Sequence, residues 1–212
     1  MATSRLQIYN DALLLCGERF LNSLTEEREP RRLLDHVWNN EGVEGCLEEG
    51  QWFFAMRTIR IDYDPGIEPE YGYQYAFEKP SDWRLTSAVC QDEFFRVPQT
   101  RYFDESDYWY SDLTELYIRY VSDDSGYGLD LSRWPRKFTK FVAAHFASEI
   151  IHKIDAERAN EMLAVRERRL MESKNHDAMA DSTVFPAQGS WSSARQQGYS
   201  RRDRGNRGNL IG

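Results

Sequence analysis

Residues 51–62, QWFFAMRTIRID, decide how this chain is read, because helix-like spacing stops there and two-residue alternation begins. Trp52, Phe54 and Met56 alternate with Phe53, Ala55 and Arg57, and the run is rich in aromatic and β-branched groups. Such side chains fit a pleated, half-buried surface, so the stretch predicts a strand with one buried face beginning at Trp52. The same alternation recurs at Tyr71, Tyr73, Tyr75 and Phe77, and at Leu116, Ile118 and Tyr120. Pro65, Pro69, Pro80 and Pro98 cut the intervening chain into short pieces, and residues 51–122 read as a β-rich insertion.

Helical periodicity flanks this insertion on both sides. Leu6, Tyr9, Leu13 and Cys16 recur at three- and four-residue steps before Gly17, which predicts a helix over about residues 4–17. Pro30 suits a first turn, and Leu33, Leu34, Val37, Trp38 and Cys46 extend one second helix to about Glu49, although Gly42 and Gly45 weaken its last turns. After Asp130, Ser132 can cap and Pro135 can open a helix whose apolar face is Phe138, Phe141, Val142, Phe146, Ile150 and Ile154. Asp155 can cap a fourth helix running to about Ala180, with sparser apolar positions at Ala159, Met162, Leu163 and Leu170. The expected class is α+β, a helical bundle of about four helices with a β-rich insertion and an extended C-terminal arm. Residues 1–50 and 123–181 form the two halves of the bundle, 51–122 the insertion and 182–212 the arm.

The arm, STVFPAQGSWSSARQQGYSRRDRGNRGNLIG, offers few sizeable apolar groups, among them Trp191 and Tyr199. It buries too little apolar surface to offset the entropy of ordering a chain, so on its own it should stay disordered and order only on a partner. Arg195, Arg201, Arg202, Arg204 and Arg207 stand against Asp203 alone, a charge of +4, and the whole chain is −8, so residues 1–181 carry −12. An acidic body with a basic arm suits an assembly part. Trp191 and Tyr199 are the arm's aromatic anchors, and the five arginines its pairing groups for an acidic surface or for DNA. The aromatic content of 14% exceeds what core filling alone explains and points the same way.

Chemistry is harder to find. His145, Glu149 and His152 fall on one helical face and could hold a metal in principle, but HExxH order and a distant third ligand are missing. His36 and His176 are isolated and read as surface residues. The Asp62–Asp64, Asp104–Asp107 and Asp123–Asp124 clusters sit in loops, and DDSGYGLDLS lacks the terminal glutamate of a calcium loop, so turn chemistry accounts for it. Phosphate-cradling loops and a GxSxG elbow are likewise missing. No catalytic, cofactor-binding or metal residue is assigned. Cys16, Cys46 and Cys90 are odd in number and lack a CxxC pair, which predicts free thiols and a reducing cytoplasm as the place of synthesis. The first twenty residues lack a secretion signal, and no run approaches the ~18 apolar residues that span a bilayer. The RRDRGNRG segment resembles an RGG-like element, so a nucleic-acid-binding module using the arm is the alternative reading. The acidic body would be repelled by DNA.

The order of several short motifs resembles one family. YNDALLLCGERFLNSLTEERE, LEEGQWFFAMR, YGYQYAFEKPSDWRLTS, YIRYV, and DLSRWPRKF leading into AAHFASEI are similar, in order and spacing, to the tail tubular protein A family of tailed bacteriophages. The likeness covers about residues 6–175 and leaves the arm unmatched. It implies a head-to-tail adaptor, also called a connector, in the virion: a twelve-fold ring docked under the portal protein, with tail nozzle or tube proteins, and in some phages a fibre or spike, attached beyond it. Genomic DNA would pass through the lumen without specific binding, and carboxylates lining it would let the duplex slide. Within the motifs, Asp82 of Pro80–Trp83 is expected to bond local backbone N–H groups, with Trp83 pinning the turn to the core.

Overall fold

A computed structural model describes residues 3–40, 42–70 and 72–180. The expectations for the arm, including the roles of Trp191, Arg195, Tyr199, Arg201, Arg202, Arg204 and Arg207, fall outside the described residues.

The first predicted helix is present and ends at the expected glycine, and Ser4 caps its start. In α1 (Arg5–Cys16) the Ser4 side chain accepts the Gln7 N–H at 3.2 Å, satisfying one of the free donors of the first turn. At the other end Gly17 takes a φ of +79°, open to glycine at no steric cost, and the Gly17 and Glu18 N–H groups close on Leu14 and Leu13 carbonyls.

The expected single second helix is two. α2 (Glu29–Asn39) and α3 (Gly42–Glu48) are separate elements. The chain turns so tightly between them that a Cβ on Gly42 would lie 2.5 Å from the Val37 carbonyl oxygen and 2.8 Å from Val37 Cγ1. Gly42 therefore marks a close backbone approach at a new helix start, where it had looked like a weak point in a continuing one.

The strand expected from Trp52 begins four residues later. Phe53–Ala55 form a single 3₁₀ turn, and β1 spans Met56–Asp62. Three contacts impose the turn. The Trp52 ring is buried edge-on against Phe138 at 4.9 Å, its Nε1 donates to the Cys46 carbonyl at 3.1 Å, and the Phe53 N–H donates to the Asp177 carboxylate at 3.2 Å. Long-range packing here overrides local β propensity. The tyrosine alternation is likewise realised only in part. β2 is Tyr75–Glu78, and Gly72, at a φ of +86°, bends the chain before it. Tyr71 falls outside the described residues.

The remaining strands are β3 (Trp83–Cys90), β4 (Tyr102–Asp104), β5 (Tyr108–Ser111) and β6 (Glu115–Ser122). They form two antiparallel sheets, ordered β1-β6-β3 and β2-β5-β4. β6 is central, and its alternation works as predicted. Leu116, Ile118 and Tyr120 pack with Phe77 of β2, Val89 of β3 and Trp109 of β5 in a core between the sheets, while Val121 joins the helical core.

α4 (Arg136–Ile154) and α5 (Ala159–Ala180) follow, joined by a 3₁₀ turn at Ala156–Arg158. Ser132 is not the cap. It donates its Oγ to Asp130 at 2.6 Å, and Pro135 occupies the capping position without a side-chain acceptor. Asp155 accepts the Glu157 N–H and so caps the 3₁₀ turn ahead of α5. α4 is the hub of the helical layer: α1, α2, α3 and α5 all pack on it, over a core that holds Phe138, Phe141, Val142, Phe146 and Ile150. The class is α+β, with five α-helices and two three-stranded sheets among the described residues.

Candidate docking surface

The motif residues sit at the joints of the fold. Trp52, Trp134 and Phe138 form one aromatic cluster, with Trp134 edge-on to Phe138 at 4.9 Å and its Nε1 held by the Gly128 carbonyl at 2.8 Å. Asp82 departs from its expected role. Its carboxylate takes no local N–H bonds but accepts from Arg57 Nη1 at 2.7 Å, Ser122 Oγ at 2.5 Å and Tyr120 OH at 3.1 Å. Burial alone would raise its pKa, but the hydrogen bonds from Ser122 and Arg57 outweigh it and hold the carboxyl below its usual range. The residue that looked like a turn former is the acceptor that fastens the ends of β1 and β6. Trp83 does anchor to the inter-sheet core, edge-on to Trp109, with Lys79 Nζ 3.4 Å above its ring.

The possible metal face does not converge. Glu149 and His152 are exposed, whereas His145 is partly buried and its Nδ1 accepts from Arg166 Nε at 3.2 Å. Arg166 also pairs with Glu49, so the imidazole belongs to a tie between α3, α4 and α5. Burial lowers its pKa, with Glu149 opposing. Among the described residues no three His, Cys, Asp or Glu side chains are grouped to hold a metal ion. His36 and His176 are exposed. Asp123 pairs with Arg84 at 2.5 Å and Asp124 accepts the Gly126 N–H at 2.8 Å, so this acidic cluster does form a turn. Cys16, Cys46 and Cys90 are free and buried.

Two surfaces among the described residues are not accounted for by internal pairing. The first is a groove of about 630 Å³ between α1, the start of α4 and α5. Leu15, Trp134 and Ala143 contribute apolar wall, and Leu14, 61% exposed, stands in it. The rim carries Arg136 and Lys140, both exposed and without an ion pair among the described residues, and also Asp11. Burial raises the Asp11 pKa, against the pull of Lys140 and Arg136. Arg169, at the far side, is already paired with Glu172 at 2.9 Å.

The second surface lies on the β region, a hollow of about 470 Å³ lined by Glu68, Glu70 and Glu105 with Tyr73, Phe103 and Tyr110. Phe103 is 53% exposed, and none of the three glutamates makes an ion pair among the described residues. Neither surface was assigned from the sequence. The available signals were Leu14, which lies off the apolar stripe of α1, and Arg136 and Lys140, which face away from the apolar face of α4. No helix of the described residues is long and apolar enough to cross a membrane.

Comparison with models of known protein families and with curated proteins found no match.

Proposed function

We propose that the chain is a structural, non-enzymatic head-to-tail adaptor of a tailed bacteriophage. Twelve copies would form a ring in the virion that joins the portal to the tail and lines the DNA channel. The finer architecture belongs to the same proposal: a helical bundle built around four principal helices, a β-rich insertion, and an arm that orders on a neighbouring protein. The observation that carries it is where the family-like motifs fall. Trp52 and the Trp134–Phe138 pair meet in one aromatic cluster, and Asp82 fastens two strands. These residues serve architecture, as expected of a part whose work is to be a rigid joint.

The surface agrees with this reading. An apolar groove with uncommitted cations, on a body of charge −12, is built to receive a protein carrying acidic groups. Repulsion between that body and DNA suits a lumen through which the genome slides.

The test is to mix purified portal with the full chain and with a chain lacking residues 186–212, and to image the products. Twelve-fold rings on the portal with the full chain, and at least a tenfold loss of docking without the arm, are expected. Undiminished docking of the shortened chain would remove the arm from the proposal, and failure of the full chain to dock would remove the adaptor reading. Micromolar, steeply salt-dependent DNA binding by the isolated monomer would favour the nucleic-acid module instead.

A further inference from the structure

We infer that the groove between α1, α4 and α5 receives the acidic aromatic face of a second copy of this chain, Glu68, Glu70 and Glu105 around Phe103. The inference rests on the ring reading and names its contact.

Each surface carries what the other lacks. In the groove, Leu14 and Leu15 offer apolar area, and Arg136 and Lys140, which share the field of Asp11, close no ion pair among the described residues. On the β region, Phe103, Tyr73 and Tyr110 offer aromatic area, and three glutamates line the hollow with no Lys or Arg in its wall. Bodies of charge −12 repel one another at long range, so a contact in which an anionic patch meets a cationic one is favoured over others. Around the groove, Arg136 and Lys140 share the single carboxylate Asp11 and close no ion pair among the described residues, so positive charge is in excess beside the apolar surface of Leu14. Desolvation on docking would strengthen the glutamate–cation attraction, while the aromatic edge fills the groove floor.

The two surfaces lie on different parts of one molecule, the groove mainly on helices and the face on β4, β5, the turn between them and the segment before β2. A contact between unlike surfaces is head-to-tail. It cannot terminate in a dimer, and it closes into a ring if its rotation divides the circle.

The experiment uses the full chain without any partner and measures self-association by sedimentation velocity and native mass spectrometry, at low and high salt. One variant carries Arg136→Glu and Lys140→Glu, and the other Glu68→Lys and Glu70→Lys. All four positions are exposed, so folding should survive, which circular dichroism and the melting temperature will verify. Each variant alone should associate at least about tenfold more weakly than the natural chain. An equimolar mixture should recover association, because each altered groove then meets an altered face and each natural groove a natural face. High salt should weaken the natural contact. Association of the natural chain that neither variant changes would overturn the proposed contact and leave the adaptor reading standing. A natural chain that stays monomeric throughout would also overturn the contact, while portal docking would decide the adaptor reading separately.

Discussion

Asp82 shows what one carboxylate can do when three donors from two strands converge on it. Arg57, Tyr120 and Ser122 all lose their acceptor if it goes, and Tyr120 is fully buried. Replacing Asp82 with Asn should cost about 1–3 kcal/mol in urea denaturation near neutral pH, because an amide accepts less strongly and brings donors of its own. The pH dependence has a definite sign. The folded-state pKa lies below the unfolded one, so the carboxylate's contribution is complete above the ordinary aspartate range and is lost as pH falls through the folded value. The stability gap between the natural chain and D82N should therefore be flat at neutral pH and narrow in acid. Geometry also dictates the identity of Gly42 and Gly128. A Cβ on Gly128 would run into the Ser122 carbonyl oxygen and come within 2.8 Å of Leu47 Cδ1.

Among the elements, α4 organises the helical layer, and His145 is its most informative side chain. Its Nδ1 accepts from Arg166 on α5, whose guanidinium also pairs with Glu49 just beyond α3, so one imidazole helps to register three helices. Protonation would remove that acceptor and set a cation beside a guanidinium. Burial has lowered the pKa, so just below the ordinary histidine value of about 6.5 the unfolded chain holds more protons than the folded one. Stability should be complete above that pH and decline as pH falls beneath it. A His145→Gln chain should show a flatter profile between about pH 7 and 5, read from melting temperatures at fixed ionic strength. An equal slope in both chains would show that other groups govern that range.

At the scale of the molecule, all three thiols are folded away. Burial pushes the Cys16 thiol up to about 11, with Arg158 opposing, and raises Cys46 and Cys90 as well. Little thiolate is present at neutral pH, and access is closed. An aromatic disulfide reagent should label the native protein at least a hundredfold more slowly than the urea-unfolded chain, which should yield three thiols at once. Fast labelling of one cysteine would reveal local opening of the core around it. The same scale holds the charge asymmetry, in which an acidic body carries two exposed cations, Arg136 and Lys140, beside an apolar groove, the feature on which the proposed contact between copies rests.

Much of this was legible in residue order. The period of 3.6 around Leu6–Cys16 and Phe138–Ile150, the glycine after Cys16, and the alternation of Leu116, Ile118 and Tyr120 each specify an element, because backbone geometry alone turns spacing into a buried face. The break between α2 and α3, the 3₁₀ turn after Trp52, the acceptor role of Asp82 and the groove beside Leu14 were not legible. Each depends on a partner distant in the chain: Phe146 against Gly42, Asp177 and Phe138 at the Trp52 turn, Tyr120 and Ser122 at Asp82, and α4 against α1 at the groove. The sequence by itself determined the helical character of both ends of the body, the buried face of β6, the free thiols, and the division of charge between body and arm. Only tertiary structure decided where those segments bend and which side chains are left facing solvent without a partner, since these follow from contacts that form only once distant segments pack.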